Sequence, residues 1–74
     1  MGNLAGFKYR KIAKRLQEFG FVLHRKGAGS HEIWCNIEQN TCITIPKHSK
    51  DMPEFTLKQI LKQAGVSEND FLNA

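Results

Sequence analysis

Acidic side chains are almost missing from the first 31 residues, where Glu18 stands alone against Lys8, Arg10, Lys11, Lys14, Arg15, Arg25 and Lys26. Seven cations and one anion leave that region at +6, while residues 32 to 74, with four basic and six acidic groups, come to −2. Segregated positive charge concentrates polyanions and gains from releasing their counterions, so nucleic acid is the partner class to consider first. The competing reading is a solvated helix face that only keeps the protein in solution.

Cysteine is scarce as well. Cys35 and Cys42 are too few and too oddly spaced for a disulfide framework, and we read both as small apolar residues in a reducing cytoplasm. The five soft-ligand candidates His24, His31, Cys35, Cys42 and His48 contain no C-x-x-C or H-x₃-H pair, so neither a metal nor a cofactor is expected. No apolar run approaches the roughly 18 residues of a membrane span. The stretch Met1 to Gly6 lacks the charged and apolar regions of a signal peptide, and Gly6 stands where a myristoylation motif wants Ser or Thr. A cytoplasmic location without a membrane anchor is the expectation. Length allows one domain, residues 1–74, with a core that removes only about 60% of the unfolded chain's surface from water.

What is present reads as an ordered series. Tyr9, Ile12, Ala13, Leu16 and Phe19 recur at helical spacing and predict a first helix over residues 8 to 19, stopped by Gly20 with Phe21 folding back on it. A first strand over residues 21 to 25 leads into the turn Gly27-Ala28-Gly29-Ser30, and a second strand starts at His31. Ile33, Cys35 and Ile37 form one of its faces; Glu32, Trp34, Asn36 and Glu38 form the other. A three-residue loop at Glu38, Gln39 and Asn40, with Asn40 left-handed, would put Ile43 and Ile45 of the third strand on the Ile33 face, whereas a two-residue loop would scatter them. That register sets Lys47 opposite His31. It also leaves Trp34 on the less apolar face beside Thr44, either stacking on a base or covering the sheet edge.

Pro46 ends the third strand, and Thr56-Leu57-Lys58-Gln59 fits a capping box opening a second helix with Leu57, Ile60, Leu61 and Ala64 as its apolar stripe. Gly65-Val66 repeats the glycine-apolar stop, and Ser67 to Leu72 adds a short third helix capped by Ser67. The fold class is therefore α+β, in the order α-β-β-β-α: a three-stranded antiparallel sheet with two helices on one face and the other face open. Double-stranded-RNA-binding domains share this arrangement, but arrangement alone assigns no function.

The Gly29-Ser30-His31 turn is the chemically suggestive stretch. Glycine lets a ligand's backbone approach closely, and a histidine at a loop-to-strand junction is a candidate for proton transfer near neutral pH. Read alone, the stretch favours His31 as an ordinary polar residue of a hairpin.

Two segments together carry a resemblance: Gly29-Ser30-His31-Glu32-Ile33-Trp34, and Ile45-Pro46-Lys47-His48 leading through Met52-Pro53 to the run Thr56 to Gly65. With the first helix and its Gly20-Phe21 ending they resemble the HicA toxin family over residues 8 to 72. The family's usual glycine before Thr-Leu is Phe55 here, which marks that residue as a candidate partner contact. The resemblance implies the toxin of a bacterial toxin-antitoxin pair, a small endoribonuclease acting on mRNA and neutralised by a HicB-type antitoxin. DNA contact, if any, would come through the antitoxin.

It also implies that His31 is the functional histidine. RNA supplies its own nucleophile, the 2′-hydroxyl, so a metal-independent site needs a base or acid (His31), cations on the phosphate (Lys26 and Lys47) and close access at Gly29 and Ser30. His48 and Ser30 are the auxiliary candidates, although His48 reads first as a solvated loop residue. Lys8, Lys11, Lys14, Arg15, Arg25 and Trp34 complete the expected RNA surface. The other reading of the same cations is a binding module that holds double-stranded RNA without cutting it.

Overall fold

Local signals decide where the helices stop. Helix α1, Tyr9–Gln17, buries Ile12, Ala13 and Leu16. Beyond it Gly20 takes φ +91°, and the Phe21 amide donates to the Leu16 carbonyl at 3.2 Å, which folds the buried Phe21 ring back under the helix. Helix α2, Glu54–Ala64, ends in the same way at Gly65, φ +73°, with the Val66 amide on the Leu61 carbonyl at 3.0 Å. The short helix α3, Glu68–Leu72, is capped by Ser67, whose hydroxyl accepts from the Asp70 amide at 3.0 Å. The structure, a computed structural model, describes residues 3–47 and 50–74.

Three strands lie between the helices: β1, Val22–Lys26, β2, His31–Asn36, and β3, Thr41–Pro46, antiparallel in the order β1-β2-β3. A bulge between Leu23 and Arg25 interrupts the β1–β2 ladder, and the exposed His24 sits at it. One face of the sheet carries Trp34, Ile43 and Ile45 into a single core with Ile12 and Leu16 of α1, Leu57, Ile60 and Leu61 of α2 and Phe71 of α3. The opposite face, with Val22, Arg25, Cys42 and Thr44, meets solvent. This is the α+β architecture expected, with an open three-stranded sheet.

The register of the second hairpin differs from the expectation by one residue. Asn36 pairs with Thr41, so the loop holds four residues, 37 to 40, and Trp34 faces Ile43 while Glu32 faces Ile45. A one-residue slip exchanges the two faces of a strand. Ile37 is consequently 74% exposed and Trp34 only 4%, which corrects the placement of Trp34 on the open face: its ring belongs to the core and no base can stack on it.

Asn36 explains the slip. Its side chain accepts from the Gln39 amide at 3.1 Å and donates to the Phe19 carbonyl at 2.9 Å, binding the loop to the end of α1 from inside the sheet. The Asn40 amide closes the turn on the Ile37 carbonyl at 3.1 Å, with Asn40 left-handed as expected at φ +53°. Gly20 is needed beside it, because a Cβ there would stand 2.8 Å from the Asn36 amide nitrogen.

Two further expectations change. Helix α2 starts at Glu54, not Thr56: Pro53, at φ −57°, is the N-cap and its carbonyl takes the Leu57 amide at 3.0 Å, so the Thr56 capping box is not used. Cys35 and Cys42 are not free apolar residues. The register sets them directly opposite one another, Cα atoms 4.0 Å apart, and they form a disulfide. In the register expected from the sequence they would have been offset, which is why the pairing was hidden. With the thiols joined, cysteine usage no longer argues for a reducing compartment.

The bridge closes a short loop, and chain-entropy reasoning assigns it about 2.5 kcal/mol. Reduction is expected to lower the thermal midpoint by about 15 °C, as in a Cys35→Ser, Cys42→Ser variant. Scans with and without reductant check this, and coincident curves would show that the bond contributes nothing.

Candidate functional site

The end of the sheet where β1 passes into β2 is built by a four-residue turn. The His31 amide donates to the Ala28 carbonyl at 3.2 Å, the Gly27 amide to the His31 carbonyl at 2.9 Å, and Gly29 takes φ +63°, a conformation that favours glycine. From the other side β3 runs past: Pro46 pairs with His31, and the Lys47 amide donates to the Ser30 carbonyl at 2.7 Å. Lys47 is thus one place further on than expected. It still reaches the site.

Lys26, Gly29, Ser30, His31, Glu32 and Lys47 together line a shallow cleft of about 100 Å³. That is well below the roughly 300 Å³ of an enclosing ligand pocket, so the cleft suits a small anionic group presented from outside rather than a swallowed nucleoside. His31 and both lysines are exposed. By register His31 belongs to the open face of the sheet, whereas Lys26 and Glu32 belong to the helix-facing side. The cleft therefore lies at the rim where the two faces meet.

Beneath the rim is a small polar network. Glu32 is 4% exposed; its Oε1 accepts from the Tyr9 hydroxyl and, at 3.4 Å, from Trp34 Nε1. Lys47 Nζ lies 5.6 Å from the centroid of the Tyr9 ring, within cation–π range. Burial, then the hydrogen bond to Glu32 and its charge, push the Tyr9 phenol up to about 12, so it remains a donor at any physiological pH. Neither Tyr9 nor Glu32 stood out in the sequence. Tyr9 was absorbed into the apolar stripe of α1, and Glu32 into a strand face taken to be wet; the correct hairpin register turns Glu32 inward, and only the assembled fold brings Tyr9 to it.

A second feature lies along α1. Gly6, Lys8, Arg10, Lys11 and Lys14 border an open depression of about 530 Å³, which brings together three of the expected RNA contacts and adds Arg10. Lys8 also pairs with Asp51 at 3.2 Å. Tyr9 lies between Lys8 and Arg10, so the same turn of α1 borders both the basic depression and the His31 cleft.

The remaining candidates separate. Arg15 is turned away from the cleft and half-buried: its guanidinium lies 5.0 Å from the Phe7 ring and 5.5 Å from the Phe71 ring, and one NH group donates to the Phe71 and Leu72 carbonyls at 2.8 and 3.1 Å. Those bonds cap the C-terminal end of α3 and give Arg15 a structural task besides its expected place on the RNA surface. Arg25 is exposed beside Ile33 on the open face. His48 lies outside the described residues. Among the described residues no three His, Cys, Asp or Glu side chains converge to hold a metal ion. No described helix is long and apolar enough to cross a membrane.

In a comparison with known families the chain matches the family model described as the HicA toxin of bacterial toxin-antitoxin systems, over residues 9–66. That span contains α1, the whole sheet with its cleft, and α2. No curated protein matches the chain significantly.

Proposed function

Because the chain belongs to the HicA toxin family of bacterial toxin-antitoxin systems, we propose that it is an endoribonuclease that cleaves mRNA at the His31 cleft. The observation that carries this reading is an exposed imidazole sharing one small cleft with two lysines, at a glycine turn that leaves the approach open.

In the reaction, His31 takes the proton of a ribose 2′-hydroxyl. That oxygen bonds to the adjacent phosphorus, the bond from phosphorus to the 5′-oxygen breaks, and the departing oxygen receives a proton from an acid or water. Lys26 and Lys47 hold the phosphate by its non-bridging oxygens, and backbone at Gly29 and Ser30 admits the strand. The depression along α1 binds the flanking phosphates. No step calls for a metal. A HicB-type antitoxin covering this basic surface would silence the protein, and the cytoplasm is where such a toxin meets its message.

Labelled RNA incubated with the protein in excess chelator tests the reading. Fragments are expected; a shifted but intact band would make the chain a binding module instead.

The lysine assignment has its own test. In a His31→Ala background, Lys47→Ala is expected to weaken single-stranded RNA about tenfold and to reduce the slope of log affinity against log salt by about 0.7, the value of one phosphate contact. Fluorescence anisotropy across a salt series reads both, and an unchanged slope would remove Lys47 from the phosphate.

A further inference from the structure

Glu32 raises a problem for the cleft it lines. A buried carboxylate next to two exposed ammonium groups should draw one of them into an ion pair, and a lysine so paired is lost to a phosphate. Yet among the described residues neither Lys26 nor Lys47 is ion-paired with Glu32. The charge is satisfied from below instead, by the Tyr9 hydroxyl and Trp34 Nε1 on the same oxygen, while the Tyr9 ring lies beside the Lys47 ammonium.

We infer that Tyr9 is a positioning residue of this cleft, which caps the Glu32 carboxylate with its hydroxyl and supports Lys47 with its ring, leaving that ammonium free for phosphate. The inference rests on the nuclease reading for its consequence and on the contacts of Tyr9 for its geometry. Tyr9 stands at the first turn of α1, whereas Glu32 and Lys47 belong to the sheet end, so the helix sets how the cleft presents its charge. A hydroxyl suits this task better than a cation would. It satisfies the carboxylate without adding a competing positive charge, and its high pKa keeps the proton in place.

The test removes the hydroxyl and keeps the ring. Tyr9→Phe releases Glu32 to pair with Lys47, so KM for RNA is expected to rise about tenfold, as in Lys47→Ala, with kcat little changed. Adding Glu32→Gln to Tyr9→Phe removes the competing charge and is expected to restore KM; general structural damage would not be repaired by a second substitution. A KM unchanged in Tyr9→Phe, or unrestored in the double variant, overturns the inference.

The ammonium resonance of Lys47 in ¹⁵N-labelled protein supplies a readout independent of RNA. Pairing with Glu32 in Tyr9→Phe slows its exchange with water, so a signal broadened away in the wild type should appear, and disappear again in the double variant. Should the wild-type protein fail to cleave RNA, the nuclease reading falls by itself. The Lys47 resonance then decides the role of Tyr9, and identical spectra for all three proteins would refute it.

Discussion

His31→Ala is expected to cut RNA cleavage by about 10³-fold, within the range that one positioned proton-transfer group contributes. Stability should change by no more than about 0.5 kcal/mol, because the side chain is exposed and lies away from the core. Circular dichroism and thermal unfolding should therefore superimpose on the wild type while a gel shows intact substrate. Affinity for RNA should also survive, since the charge proposed to bind phosphate resides on Lys26, Lys47 and the α1 lysines. Cleavage persisting at the wild-type rate would exclude His31, and with it the mechanism above.

The largest effect on stability is expected at Trp34. Truncation to alanine empties a site that is 4% exposed, in the centre of β2 and against Ile43, and removes a donor from the buried Glu32. Such truncations cost about 3–5 kcal/mol, a large share of the roughly 5–15 kcal/mol that holds a small domain together. Urea denaturation followed by far-ultraviolet circular dichroism should show the midpoint collapse. The opposite outcome is equally definite: a stacking residue on an open face would lose RNA affinity and keep its midpoint.

The contrast between these residues shows what could be read in advance. Helix ends were legible because their signals are local: Gly20 with Phe21, Gly65 with Val66 and the Ser67 cap each act within a few residues. The loop-to-strand histidine and its two lysines were legible because turn chemistry placed His31 and the strand count brought Lys26 and Lys47 to the same end. Parity was not. Hydropathy puts Glu32 and Asn36 outside, but both are buried against partners far away in the chain, Tyr9 and the Phe19 carbonyl, which only the assembled fold supplies. Once that register slipped, Trp34, the Cys35–Cys42 pair and the partner of His31 were misplaced together. The structural contacts of Arg15 were hidden for a related reason, since they come from Phe7 and α3.

The irregularity in β1 has a consequence for how copies of the protein behave in a crowded cell. An outermost ribbon of unsatisfied amides invites identical molecules to zip together into fibrils. Here the ribbon is broken between Leu23 and Arg25 and followed by two consecutive cations, so a second molecule approaching in the same way meets a kinked backbone and like charge. The positive fringe proposed to attract a polyanion thus also guards this edge of the sheet against a second copy.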